Sequence, residues 1–197
     1  IEETIETNGT KKEETIVVPE SKGPERLGVG LGWDPEDNGQ PFDLDASAFM
    51  LGADGQLVDE PFFVFYNNPA SPEGAVMSSG DDRTGDSSDG GDDETLFVDV
   101  TLVDPRVQQI VFAVTIHEAE ERGQNFGQVR NSFIRVYDLD TLEEIARFNL
   151  GEDFTSETGV QAGRLYRDGS TWHFEALGLG VKGGLEELLG IYAAKFC

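Results

Sequence analysis

The stretch that decides the fold is Q-I-V-F-A-V-T-I at residues 109–116, the most apolar run of the chain. It is short and rich in β-branched residues, which is typical of a strand buried at the centre of a sheet. We therefore predict a central strand here and expect neighbouring segments of the chain to pair with it.

Other short apolar runs alternate with turn-forming clusters, which is the pattern of a sheet protein. The aromatic run at 62–66 and the alternating run at 96–102 carry the clearest strand signals. Asp54-Gly55 and Asp168-Gly169 predict hairpin-type turns, because this dipeptide tolerates positive φ. The remaining predicted strands are 27–33, 44–51, 132–137, 144–150, 163–167 and 172–177.

Only residues 185–196 show a helical pattern, in which Leu185, Leu188, Leu189 and Tyr192 share one face. About nine strands followed by one helix predict a mainly all-β fold, an antiparallel β-sandwich with a short C-terminal helix. Residues 1–15 are polar and charged without periodicity, so we predict a mobile N-terminal tail at 1–15 and a sandwich domain at 16–197.

The composition is strongly acidic: 39 acids face 14 bases, for a formal net charge of −25. This balance argues against nucleic-acid binding, which depends on Lys and Arg. No apolar stretch approaches the ~20 residues of a membrane-spanning helix, so we expect no direct membrane insertion. Cys197 is the single cysteine, and no secretory signal is evident, so we expect a cytoplasmic protein without disulfides.

Residues 81–94, D-D-R-T-G-D-S-S-D-G-G-D-D-E, form an acidic run with seven acids and Arg83 as its only base. Ca²⁺ takes roughly 6–8 oxygen ligands, and Gly and Ser let a backbone wrap around such an ion. The alternative is a solvated acidic loop, which is what most blocks of like charge are. The EF-hand pattern does not fit the run, so further ligands are expected from elsewhere in the chain.

The best partner segment is F-D-L-D-A-S at 42–47, where Asp43 and Asp45 are predicted to project to one face of a strand while Leu44 enters the core. Adjacent like charges on a strand are destabilising, and a bound cation would remove that repulsion. The alternative is a charged edge strand that resists aggregation.

Two further segments end predicted strands and could meet the acids, because loops at one end of a sandwich cluster. Asn67-Asn68 offers amide oxygens, with simple turn formation as the alternative. His117-Glu118 ends the central strand, with a structural histidine as the alternative. Zinc is not expected, because the chain's two histidines and single cysteine do not form a tetrahedral N/S set.

Taken together, these segments resemble the TerD family of tellurium-resistance and stress-response proteins. The resemblance covers most of residues 16–197, and the order and spacing of its motifs make it specific. It is less close at the N-terminal tail and at 86–91, which looks longer than usual and has serines where glycine is expected. The matching motifs are G-L-G-W-D at 30–34, F-D-L-D-A-S-A-F at 42–49, F-Y-N-N at 65–68, G-D-D-R-T-G at 80–85, D-D-E at 92–94, V-T-I-H-E at 114–118, F-G-Q-V at 126–129, F-I-R at 133–135, L-Y-R at 165–167 and W-x-F-x-A-x-G-x-G from Trp172.

The resemblance implies a β-sandwich whose acidic loops bind calcium, with two ions expected. It also implies a role in tellurite resistance and stress response together with other proteins of that system, including an integral membrane partner. For this chain the expected location is therefore the cytoplasm, with a peripheral position at the inner membrane as the alternative. The choice among Asp86, Asp89 and Asp92 stays open. The implied metal ligands are Asp43, Asp45, Asn67, Asp81, Asp86, Asp89, Asp92, Asp93 and Glu94, with Leu44 and Asp82 as carbonyl donors.

We predict a calcium-binding, non-enzymatic interaction module in which Ca²⁺ orders the acidic loop and creates a surface for a partner. Two other classes stay open: a metal-dependent hydrolase, because carboxylate-bound metals activate water, and a calcium-bridged membrane-docking module. No catalytic residues are predicted, because the chain lacks a G-x-S-x-G elbow and the G-x-G-x-x-G at 178–183 has no βαβ context.

Overall fold

The computed structural model describes residues 24–37, 39–85 and 91–196. The tail predicted at 1–15, the predicted ligands Asp86 and Asp89, and Cys197 lie outside these ranges. The described residues form two five-stranded antiparallel sheets, which confirms the predicted β-sandwich.

Ten strands and three α-helices make up the described fold, with short 3₁₀ turns between them. The strands are β1 Arg26–Gly32, β2 Leu44–Leu51, β3 Phe63–Val64, β4 Val76–Ser78, β5 Glu94–Asp99, β6 Gln109–Ile116, β7 Phe133–Asp138, β8 Glu144–Asn149, β9 Gly159–Asp168 and β10 Thr171–Val181. The helices are α1 Ala119–Arg122, α2 Leu150–Asp153 and α3 Gly184–Tyr192. The 3₁₀ turns are Glu60–Phe62, Val100–Leu102, Phe126–Gln128 and Ala194–Phe196.

The first sheet has the order β4-β5-β1-β7-β8 and the second the order β10-β9-β6-β2-β3. Alternate residues of both sheets, such as Leu31 of β1 and Phe112 of β6, point inward into one hydrophobic core. The core therefore lies between the sheets, and the loops cluster at the two ends of the sandwich.

The central strand β6 is buried on both of its faces. Phe112 and Val114 enter the core between the sheets, whereas Val111 and Ala113 face a second cluster formed with Leu188 of α3. Helix α3 thus covers the outer face of the second sheet. This double burial is why residues 109–116 are apolar throughout instead of alternating.

The structure departs from the predicted elements in several places. The strand predicted at 96–102 ends at Asp99, whose side chain caps a 3₁₀ turn. The strand predicted at 62–66 is reduced to β3, because Asp59 caps a 3₁₀ turn that ends at Phe62. The three-residue β4 and the one-turn helices α1 and α2 were not predicted, because they are too short to show a periodicity. The predicted helix at 185–196 ends at Tyr192 and continues as a 3₁₀ turn. None of the described helices is long and apolar enough to span a membrane.

Candidate metal centre

Three carboxylates come together at one end of the sandwich, beside β2. Asp43 and Asp45 flank Leu44, whose side chain is fully buried in the core as predicted. Asp81 reaches them from the loop before β5. One oxygen atom from each of the three carboxylates lies within 4.8 Å of the other two.

This spacing fits a shared calcium ion. Ca²⁺–oxygen distances are roughly 2.3–2.6 Å, so two oxygens on one ion are at most roughly 4.6–5.2 Å apart. Three carboxylates supply from three to six oxygens, depending on whether each binds through one or two. Water or other oxygens would therefore complete the usual set of roughly six to eight.

The backbone of Asp43 and Asp45 is held by the neighbouring central strand β6. The amide of His117 donates a hydrogen bond of 2.8 Å to the carbonyl of Asp43, and Asp45 lies opposite Thr115 in the β2–β6 pairing. The Asp43 Oδ1 atom is buried and has no hydrogen-bond partner among the described residues. A buried carboxylate oxygen without a donor is an incomplete arrangement that a cation would complete.

Burial and the neighbouring charges raise the pKa values of Asp43 and Asp45. Burial, followed by repulsion from Asp43 and Asp81, raises the pKa of Asp45 to about 7. Burial and then Asp81 raise the pKa of Asp43. Arg83 partly opposes both effects from its ion pair with Asp81 at 3.2 Å. The cluster therefore holds its negative charges poorly unless a further positive charge is supplied.

A cleft of about 490 Å³ opens onto the cluster. Its lining carries four carboxylates and two guanidinium groups, which leaves two negative charges when all are ionised and matches one divalent cation. Glu118, two residues after the end of β6, also lines the cleft and has a left-handed backbone with φ 52°. The lining residues are Gln40, Pro41, Asp43, Asp45, Tyr66, Asp81, Arg83, Thr84, His117, Glu118 and Arg122.

Asp82 and Asp93, in the run 81–94, accept hydrogen bonds from backbone amides. Asp82 is buried, and its Oδ1 accepts from the amides of Thr84 and Gly85 at 2.9 and 3.0 Å. Asp93 accepts from the amide of Trp33 at 2.9 Å. Both side chains thus shape the loop through protein contacts.

Asp92 is held on the outer face of the first sheet. Its two oxygens pair with the Arg135 guanidinium at 2.8 Å each, in a bidentate arrangement. The carboxylate lies directly over Gly30 of β1, where an added Cβ would sit 2.3 Å from the Asp92 Cγ atom. Glycine at residue 30 is what allows the acidic run to lie against this sheet.

Glu94 points the opposite way, into the protein. Its Oε2 accepts from the Ala46 amide at 3.1 Å and its Oε1 from the Asp82 amide at 3.0 Å. Burial raises the pKa of Glu94 to about 8, even though the two amide donors act to lower it. This side chain connects the start of β5 to β2 and to the loop that carries Asp81.

Of the predicted ligands that the structure describes, Asp43, Asp45 and Asp81 share one cluster, and Asp82, Asp92, Asp93 and Glu94 contact protein groups. Asn67 lies exposed in a turn, and Tyr66 lines the cleft instead. Arg83 and Arg122 were not predicted as part of the site. Their only sequence signal is that they are bases next to candidate acidic segments in a chain with few bases.

The family model of the TerD domain matches residues 9–192. The chain belongs to the TerD family. It is 47% identical over 165 residues to a tellurium resistance protein TerD of Alcaligenes sp., covering 83% of this chain and 85% of the relative. It is 44% identical over 172 residues to general stress protein 16U of Bacillus subtilis, covering 86% and 88%.

A solved structure shares the fold of this TerD-family chain. It is a homologue of the telluride resistance protein TerD from Streptomyces coelicolor, with a TM-score of 0.73 and 23% sequence identity. The match covers 86% of this chain and 96% of the other. The sandwich architecture is therefore shared by a relative of low sequence identity.

Proposed function

We propose that this chain is a calcium-binding, non-enzymatic module of the stress response and tellurite resistance. The observation that carries the proposal is the cluster of Asp43, Asp45 and Asp81, whose ligand oxygens lie within 4.8 Å of one another. The names of the TerD and general stress relatives support the biological role.

Calcium is the cation that best suits this donor set. The three grouped ligands are all carboxylates, which hard cations prefer, and the cleft leaves room for water. Mg²⁺ demands closer, octahedral geometry and keeps most of its own water. The described residues account for one ion, and a second ion would draw on the rest of the acidic run, including Asp86 and Asp89.

Binding would join two parts of the chain that otherwise repel each other. Asp81 belongs to the acidic loop, whereas Asp43 and Asp45 lie at the start of β2 in the second sheet. A cation between them would fix the loop against β2 and so present an ordered surface to a partner. We propose that this partner is another protein of the tellurium-resistance system, and an integral membrane protein of that system is one such partner.

Calorimetric titration with Ca²⁺ tests the proposal, together with thermal unfolding in Ca²⁺ and in EGTA. We expect saturable binding, and stabilisation of about 2.7 kcal/mol when free calcium is a hundredfold above its Kd. Absence of both binding heat and a shift in Tm would remove the proposal. A phosphatase and nuclease screen with Mg²⁺ or Mn²⁺ tests the non-enzymatic part, for which we expect no turnover.

A further inference from the structure

We infer that Glu94 is a positioning residue that clamps the two ligand-bearing segments together and does not itself bind the ion. This inference rests on the proposed calcium site. It assigns to Glu94 a different role from the one that the family resemblance implies.

The two amides that Glu94 holds each follow a proposed ligand directly in the chain. The Ala46 amide belongs to the peptide bond that begins at Asp45, and the Asp82 amide to the one that begins at Asp81. Because a peptide unit is planar, fixing its N–H also fixes its carbonyl and the adjacent Cα atom. One carboxylate thus sets where the backbones of Asp45 and Asp81 lie relative to each other.

The strand pairing explains why an acceptor is needed at this place. β3 pairs with β2 only at Ala48 and Phe49, so the ladder on this side of β2 stops before Ala46. The Ala46 amide is instead satisfied by Glu94 from the opposite sheet. Without this acceptor, a buried N–H would lose its hydrogen bond, which destabilises the folded state.

A carboxyl group suits this role better than an amide side chain. Each of the two oxygens of Glu94 accepts one backbone amide, so one side chain serves two amides at once. A Gln has one acceptor oxygen, and its NH₂ group would face the second N–H.

The position of Glu94 further separates it from the ligands. Its side chain is only 5% exposed, and each oxygen already accepts an amide. Among the described residues, the group able to share an ion contains the three aspartates and not Glu94. Groups that orient metal ligands in this way typically change metal affinity about 10- to 100-fold when they are mutated.

The first test is calorimetric titration of Glu94→Gln with Ca²⁺. We expect affinity about 10- to 100-fold weaker than wild type, with the three aspartates unchanged. Glu175→Gln is the matched control, because it also removes one strand carboxylate, here one paired with Arg164 at 2.6 Å. We expect the control to bind calcium as the wild type does.

The second test follows hydrogen exchange of the Ala46 and Asp82 amides in the wild type, with and without Ca²⁺. If Glu94 is a clamp, both amides stay protected when calcium is bound. If Glu94 turns to ligate the ion, they lose their acceptor and exchange faster, which would overturn the inference. This measurement stands even if Glu94→Gln fails to fold.

The outcomes distinguish the two claims. Wild-type affinity retained in Glu94→Gln, or amides that lose protection on calcium binding, overturns the role of Glu94 and leaves the proposed function intact. A wild-type chain that takes up no calcium overturns both. Weakened binding in Glu94→Gln with both amides protected supports both.

Discussion

Asp45 is the residue at which repulsion within the cluster is concentrated. It is 6% exposed and lies beside two other carboxylates. The Asp45 carboxylate therefore destabilises the calcium-free fold but is needed to bind the ion. A single substitution can separate these two effects.

We predict that Asp45→Asn stabilises the calcium-free protein and abolishes its stabilisation by calcium. In EGTA at pH 8 the gain should be on the order of 2 kcal/mol, because the variant removes a buried charge whose pKa is raised to about 7. Urea unfolding in EGTA and in Ca²⁺ measures both effects. The control is Asp140→Asn, an exposed acid in the turn between β7 and β8. Equal stabilisation by Asp45→Asn in both solutions would show that the cluster is an ordinary acidic surface.

A substitution at Gly30 tests the contact between the acidic run and the first sheet. We predict that Gly30→Ala destabilises the fold by about 1–3 kcal/mol, as overpacking usually does, because the new Cβ would meet Asp92 at 2.3 Å. Chemical denaturation measures the change. Combining it with Asp92→Ala should recover part of the loss, and a mutant without any loss would mean that Asp92 does not lie over Gly30.

At the scale of elements, helix α3 matters because it buries the outer face of the second sheet, whose inner face already packs in the core. Leu188 is fully buried beneath it, against β6. We predict that Leu188→Ala destabilises the fold by about 2–5 kcal/mol, as measured by urea unfolding. Gly190→Ala in the same helix has no atom within 4 Å of its new Cβ and should stabilise by about 0.5–1 kcal/mol. These two substitutions must change the free energy of unfolding in opposite directions if α3 packs as described.

The elements that were predicted correctly are those with a local signal. Residues 109–116 form β6 at the predicted bounds, because an apolar β-branched run specifies a strand wherever it lies. The run at 62–66 has an equally strong signal, yet only β3 forms, because Asp59 caps a turn before it and Asn68 binds the carbonyls of Pro61 and Phe63. The strand propensity of a segment depends on its own residues and does not reflect such contacts with neighbouring segments.

At the scale of the whole molecule, the buried acids link stability to pH. The pKa values of Asp45 and Glu94, about 7 and about 8, lie above the ordinary values of 3.8 and 4.5. Between those limits the folded chain binds more protons than the unfolded chain, so raising the pH lowers the free energy of unfolding. The contribution of these two acids to stability is fully present below their ordinary pKa values and is lost as the pH rises through about 7 and 8.

We therefore predict that in EGTA the Tm falls as the pH rises from 5.5 to 8.5. In saturating Ca²⁺ the fall should be smaller, because calcium occupies the site in place of protons. Thermal melts across this range measure both slopes, with Asp45→Asn as a variant that should flatten the slope in EGTA. If Tm falls equally steeply with pH in EGTA and in Ca²⁺, the acids that titrate do not belong to the cation site.

The amino-acid sequence alone determined the sandwich, its central strand and the paired carboxylates of Asp43 and Asp45, because these depend on composition and on the two-residue repeat of a strand. Only the tertiary structure decided which acids of the run 81–94 join that pair. Asp81, Asp92, Asp93 and Glu94 are chemically alike, and their different partners, such as the Ala46 amide and Arg135, lie about forty or more positions away in the chain. Hydrogen bonds and charge pairs formed on folding assign each acid its place, and no local pattern records them.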